Sequence, residues 1–250
     1  MSEAQPKPKP EIVRVPILQD NYAWLMFDPE THEAACVDPG EAAPVLAAAA
    51  ERGWAIGQVW LTHWHPDHSG GVKEMKAAGA TIIGPKAEVG KIDGPVDTGI
   101  GEGDVLRLAS HTAKVWNVPG HTQGHLAFWF EDAGVIFTGD TLFAMGCGRL
   151  FEGTPADMWG NMQRYAELPD RTLVYCGHEY TQSNGRFALS EDSGNQALVH
   201  RMQDVDDRRA RGEPTVPTTI GAEKLTNPYM TAGSAEQLGA LRARKDAFRG

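Results

Sequence analysis

Thr62-His63-Trp64-His65-Pro66-Asp67-His68 places three histidines and an aspartate within six residues. Nitrogen and oxygen donors packed this tightly need something to hold in common. A divalent metal is the candidate, because imidazole and carboxylate both suit zinc, iron or manganese. An apolar, strand-like segment, Val59-Trp60-Leu61-Thr62, runs into the cluster, and Ser69-Gly70-Gly71 with a helical pattern from Val72 to Ala78 runs out of it. The cluster is therefore expected on a loop leaving the C-terminal end of a strand, where α/β sheets place their active sites.

The arrangement recurs. Val118-Pro119-Gly120-His121, Phe137-Thr138-Gly139-Asp140 and Val174-Tyr175-Cys176-Gly177-His178 each set a ligand-type residue after an apolar strand and a glycine. Ligands from four strand ends can converge at one edge of a sheet. The candidates are then His63, His65, Asp67, His68, His121, Asp140 and His178. They are too many for one zinc, which takes three or four protein ligands, and about right for two metals with Asp140 as the bridge. Two metals ~3.5–4 Å apart hold a hydroxide between them and polarise a carbonyl, and the water pKa falls to ~7, so no separate general base is required. His125 reads as a structural partner at the start of the next strand, and His32, His111 and His200 as surface or core residues. Cys176 reads as a small buried apolar residue. Asp38 has two readings: it orients a ligand histidine, or it shapes its own Pro-Gly turn.

The 250 residues suffice for one large domain or for one domain plus a small one. Residues 1–11, polar and rich in Pro and Lys, read as a disordered arm without the apolar core of a secretory signal. Strands are expected at Ile12–Leu18, Tyr22–Phe27, Ala34–Val37, Thr81–Gly84, Val105–Ala109, Ala113–Val118, Leu126–Phe130, Val135–Thr138 and Leu173–Tyr175, with helices at Ala42–Arg52 and about Pro155–Leu168. Lys86 to Gly103 reads mostly as loop. Beyond residue 180 only helical patterns appear, at Arg186–Leu189, Gln196–Arg211 and Ala235–Phe248, so a boundary falls near residue 181. Many short strands with helices between some of them predict two sheets covered by helices. The net charge of −10 argues against a nucleic-acid partner. No run reaches the ~18–20 apolar residues of a membrane span. Three cysteines without a Cys-x-x-Cys suggest a reducing compartment, and the chain is expected in the cytoplasm, as a monomer.

A second signal lies in the last helix. At about 100° per residue, Arg242, Lys245 and Arg249 share one face, bordered by Leu238, Leu241 and Phe248. The pattern alone fits either a solvated basic face or a pocket for an anionic substrate.

Thr62-His63-x-His65-x-Asp67-His68, with Gly120-His121-Thr122-x-Gly124-His125, Gly139-Asp140-Thr141 and Gly177-His178-Glu179-Tyr180, resembles the metallo-β-lactamase superfamily. Within it, Gly146-Cys147-Gly148-Arg149-Leu150-Phe151-Glu152-Gly153, Thr215-Val216-Pro217, Asn227-Pro228 and Arg242-x-x-Lys245-Asp246-x-Phe248 resemble glyoxalase II, the hydroxyacylglutathione hydrolases, from about Ile17 to Phe248. The resemblance implies an α+β fold: a four-layer αββα sandwich over 12–181 and a small all-α substrate-binding domain over 182–250. It implies one metal on His63, His65 and His121, a second on Asp67, His68 and His178, and Asp140 bridging, with Asp67 and Asp140 the catalytic carboxylates. Zinc is expected, iron and manganese also suiting the ligands. It further implies hydrolysis of S-D-lactoylglutathione or a similar S-2-hydroxyacylglutathione, the glutathione being held by Arg149, Phe151, Tyr180, Arg242 and Lys245. Where this chain has Phe151, some relatives carry Tyr. A lactonase or other dinuclear hydrolase, and a mononuclear iron persulfide dioxygenase, are the alternatives.

Overall fold

The computed structural model describes residues 9–250. Its first sheet is built in chain order from β1 (Glu11–Ile17), β2 (Asn21–Phe27), β3 (Ala34–Val37), β4 (Ile56–Trp60), β5 (Thr81–Pro85) and β6 (Thr98–Ile100). The second runs from β7 (Val105–Leu108) through β8 (His111–Asn117), β9 (Leu126–Phe130), β10 (Val135–Gly139) and β13 (Leu173–Cys176) to β14 (Thr218–Thr219). β11 (Leu142–Phe143) and β12 (Gly146–Cys147) form a separate ribbon.

The central strands β2, β3, β9 and β10 are buried on both faces and read as apolar runs, whereas β7 and β8 toward the edge of the second sheet alternate. Tyr22, Trp24 and Met26 of β2 point at the second sheet, where they meet Val115, Phe128 and Phe137. Ala23 and Leu25 point the other way, into a layer formed by α1 (Ala42–Ala50) and α3 (Val72–Ala77). Behind the second sheet, Ala127, Trp129, Ile136 and Val174 pack on α4 (Pro155–Ala166) and α8 (Ala235–Ala247). The layers are thus helix, sheet, sheet, helix, the four-layer order that the resemblance implies, followed by a mainly helical C-terminal region. Local chemistry agrees: α4 opens with Pro155 after a reciprocal Thr154–Asp157 capping box.

Four differences from the sequence reading stand out. Residues 66–69 form a short helix, α2 (Pro66–Ser69), so Asp67 and His68 lie on a helical turn rather than a loop. Pro66 sets φ at its first position and Asp67 suits its N-terminal dipole, but four residues are too few to show a period. The stretch 86–103, expected as loop, contains β6, whose three residues are equally short. Beyond residue 180, after α5 (Thr181–Glu191) and α6 (Gln196–Ala210), β14 adds a two-residue strand antiparallel to β13. A helix absent from the expectation, α7 (Ile220–Thr226), follows it. Of the expected N-terminal arm, residues 1–8 lie outside the described residues, and Glu11 already belongs to β1. No helix among the described residues is long and apolar enough to cross a membrane.

Candidate metal centre

β8 and β10 are both antiparallel to β9, and β10 is parallel to β13, so three strands of the second sheet run the same way. Their ends carry His121, Asp140 and His178 to one edge, opposite the end of β4, which carries the histidine cluster. The glycines that precede two of these ligands make that convergence possible. A Cβ on Gly177 would stand 2.5 Å from His68 Cε1 and 2.6 Å from Asp140 Oδ1. Gly139, at φ +47°, would place one 2.5 Å from Thr62 Oγ1.

All seven expected residues meet. His65 Nδ1 lies 3.1 Å from His63 Nε2 and 2.9 Å from His121 Nε2. A second group joins His68 Nε2 to His178 Nε2 at 3.3 Å, with Asp67 Oδ2 at 3.5 and 3.4 Å from them. Asp140 stands between the groups, Oδ1 3.2 Å from His68 Nε2 and Oδ2 3.3 and 3.5 Å from His178 and His121 Nε2. The short helix accompanies the division. His63 and His65, two residues apart on non-helical chain, bring their rings together on one side, whereas Asp67 and His68 project roughly 100° apart from a helical turn.

Behind the rings, oxygen atoms fix which nitrogen is bare. His121 Nδ1 is 3.0 Å from the Arg149 carbonyl, which can only accept, so this nitrogen carries the hydrogen. His68 Nδ1 and His178 Nδ1 donate likewise to Asp38 Oδ2 (3.0 Å) and Asp20 Oδ1 (2.9 Å). Thr62 Oγ1 gives its hydrogen to Asp38 Oδ2 at 2.6 Å, and so accepts from His63 Nδ1 at 3.0 Å. Four Nε2 lone pairs therefore face inward. Asp140 Oδ1, buried, has no hydrogen-bond partner among the described residues. Lone pairs and carboxylate oxygens that converge without protons to share are the donor set of a cation.

Electrostatics point the same way. Burial holds His63, His65 and His121 below the usual imidazole range, His65 at about 4, so they are neutral, the form that ligates. At the second group, burial opposes charging of His68 but Asp140 and Asp38 overcome it and lift the ring to about 10. Asp140 stays far below the usual carboxylate range, burial being outweighed by His178 and His68. The carboxylates there stabilise positive charge, and divalent cations supply it.

Asp38 unites its two readings. It shapes the turn at φ +54°, and both its oxygens are occupied by Thr62 and His68, so it orients a ligand rather than binding metal itself. His125 is buried; its Nε2 accepts the Asp140 backbone N–H at 3.1 Å. His32 and His200 are exposed, His111 is buried beside Asp132, and Cys176 is fully buried. The sequence reading missed Asp20 and Asn21, whose Nδ2 donates to Asp67 Oδ2 at 2.9 Å, because a polar pair between two strands reads as turn chemistry. It also missed Glu88, a buried carboxylate that accepts from Trp64 and Gly124 N–H and ties the two histidine loops together.

The centre opens into a cavity of about 510 Å³. Its walls include Arg149, Phe151, Tyr180, Arg242, Lys245 and Arg249. Arg149 is exposed, and Lys245 Nζ donates to Ser183 O and Oγ, both at 2.9 Å. Arg242 differs from its neighbours: it is 7% exposed, donates to Cys147 O at 2.7 Å and to Asp246 Oδ1, and lies over the Tyr229 ring. Arg244 points away, paired with Glu191. The Tyr180 ring stacks on His178 at 4.4 Å, and burial pushes its hydroxyl up to about 12. Phe151, 61% exposed, packs edge-on to His65.

Two family models match adjoining stretches of the chain. The metallo-beta-lactamase superfamily matches residues 21–178, and the hydroxyacylglutathione hydrolase C-terminus matches 179–248. A hydroxyacylglutathione hydrolase of Methylococcus capsulatus is 46% identical over 255 residues, covering 96% of this chain and 99% of that protein. One from Maricaulis maris is 45% identical, covering 95% and 98%. Among solved structures, TTHA1623 in a di-iron-bound form is 25% identical with a TM-score of 0.63, covering 88% of this chain and 99% of that one. ETHE1 from Myxococcus xanthus, also 25% identical, gives a TM-score of 0.70, covering 96% and 92%.

Proposed function

Because the chain belongs to the hydroxyacylglutathione hydrolases of the metallo-beta-lactamase superfamily, we propose that it hydrolyses S-2-hydroxyacylglutathione thioesters, S-D-lactoylglutathione among them, to the hydroxy acid and glutathione. One observation carries the reading: five of the seven candidate ligands, His65, Asp67, His121, Asp140 and His178, line the same cavity as the basic residues Arg242 and Lys245 of the last helix. A lactone hydrolase has no use for that basic wall.

His63, His65 and His121 would hold one metal and Asp67, His68 and His178 the other, with Asp140 shared. Zinc suits this imidazole-rich set, and the di-iron neighbour supports iron as an occupant of the same kind of site. When bound, such ions supply a water of lowered pKa and a Lewis acid for the carbonyl. The protein's own part is positional. Asp67 and Asp140 stay ionised and hold the two ligand groups in register. Arg149, exposed, and Lys245, half-buried at the cavity wall, take the carboxylates of glutathione. The Tyr180 hydroxyl, which has no hydrogen-bond partner among the described residues, offers a further donor. Phe151 contributes only its ring. Arg242 braces the Cys147 carbonyl and Asp246, and so shapes the pocket from behind. The departing thiolate is a stable anion, so no strong general acid is required.

We assign catalysis to residues 12–181 and about half of the substrate site, Arg242 and Lys245, to 182–250. The three buried free cysteines support a reducing, cytoplasmic setting, and a monomer suffices because one chain supplies the whole site.

The test is a thioester hydrolysis assay run beside elemental analysis. Turnover is expected with about two metals per chain. Full turnover by Asp140→Ala sinks the shared-carboxylate scheme, and preference for lactones, or oxygen uptake, would move the chain to one of its sister activities.

A further inference from the structure

Asp246, on the last turn of α8, is out of place in a pocket for an anion. It lines the cavity above the metal centre and also an adjoining groove of about 540 Å³, in both with Arg149, Arg242 and Arg249. Apart from the metal-centre carboxylates Asp67 and Asp140, it is the one acidic lining residue of either among the described residues. Its Oδ1 is held by Arg242, from Nε at 3.2 Å and from NH2 at 2.9 Å, with Arg149 Nε at 3.5 Å. Its Oδ2 has no hydrogen-bond partner among the described residues, and the side chain is 43% exposed. One oxygen is thus anchored by buried Arg242, and the other is left free at a fixed orientation.

A glutathione thioester is not simply an anion. It bears a carboxylate at each end and an ammonium group on the γ-glutamyl α-carbon. Arg149, Lys245 and Arg249 match the carboxylates, but none of them can accept a hydrogen from the ammonium. We propose that Asp246 is a specificity-determining residue whose Oδ2 accepts the ammonium of the γ-glutamyl end, so that the pocket reads the zwitterion rather than negative charge alone. This deepens the thioesterase reading and rests on it. The pairing is preorganised, since Arg242 already restrains the carboxylate, and little ordering remains to be done on binding. It also selects against thioesters of the same length and carboxylate placement that lack the amine.

The rival explanation is that Asp246 only braces Arg242. Two substrates separate them: S-D-lactoylglutathione and its des-amino analogue, in which hydrogen replaces the ammonium. With the metal-loaded wild-type chain, kcat/KM should favour the amine-bearing substrate ~5–10-fold, the range of a half-exposed ion pair with directed hydrogen bonds. Asp246→Asn should bring the ratio to near one by raising KM for the amine-bearing substrate alone, with kcat unchanged. If Asp246→Asn raises KM for both substrates equally, or leaves the wild-type ratio in place, the carboxylate is a brace and the proposal fails. Hydrolysis of neither thioester by the wild-type chain overturns the functional reading, and the ammonium site with it.

Discussion

The metal centre and the basic wall of the same cavity are held by different means. In the centre, His63, His68, His121 and His178 are buried, and each of these rings is fixed from behind by an oxygen: Thr62 Oγ1, Asp38, the Arg149 carbonyl and Asp20. In the wall, Arg149 and Arg249 are exposed, Lys245 rests on a serine of the neighbouring helix, and only Arg242 is buried. The centre is a preorganised donor set anchored on strand ends. The wall is a collection of long side chains on one helix and one loop. Damage to the first should therefore appear in metal content and kcat, and damage to the second in KM.

The sharpest break is at the bridge. Asp140→Ala should lower kcat on the order of 10³-fold or more and reduce bound metal, since several kcal/mol of Lewis-acid stabilisation goes with it. Metal analysis of the purified variant checks the cause.

Next comes the support behind a ring. Asp20→Asn keeps a hydrogen-bonding group but removes the carboxylate from His178 Nδ1. Metal affinity should fall ~10–100-fold, read by competition with a chelator. An unchanged affinity would mean that the neutral supports of the first group are as good as the charged ones of the second.

On the wall, Arg149→Ala with Lys245→Ala should raise KM on the order of 10-fold with kcat nearly kept, the mark of binding remote from the reacting atoms. The same wall should carry a pH signature. Burial, reinforced by Arg242 and Arg149, brings Lys245 down to about 8. Below that pH it is cationic and attracts a carboxylate; as pH rises through it the charge is lost, so KM should increase above about pH 8. Lys245→Gln should abolish that rise. The smallest effect belongs to Phe151→Tyr, which restores a hydroxyl at the mouth and should lower KM ~2–5-fold if it reaches the substrate, the worth of one net hydrogen bond.

The same contrast governs what could be read from the amino acids alone. The seven candidate ligands were visible because each follows an apolar strand, three of them after a glycine, and that glycine turns out to be a steric need: at Gly177 a side chain would collide with His68 and Asp140. Asp20 was not visible. It lies 158 residues from the histidine it supports, and nothing in a turn sequence records a distant partner. α2 and β14 are too short to show a period. At the last helix, the 100° projection grouped Arg242, Lys245 and Arg249; all three line the cavity, although α8 ends at Ala247 and Arg249 lies beyond it. It could not distinguish an exposed cation from one spent on Cys147 and Asp246, because that depends on what packs opposite.

One contact joins the two regions. Arg149 sends its side chain into the cavity while its own carbonyl receives the His121 Nδ1 hydrogen. A single residue thus acts as a ruler, with its carbonyl at a candidate metal ligand and its side chain at the proposed grip on the substrate's tail. The span between them decides which thioesters reach the reacting position, and it stays constant only while His121 is in place. A substitution at His121 would then disturb the placing of Arg149 as well as the centre itself.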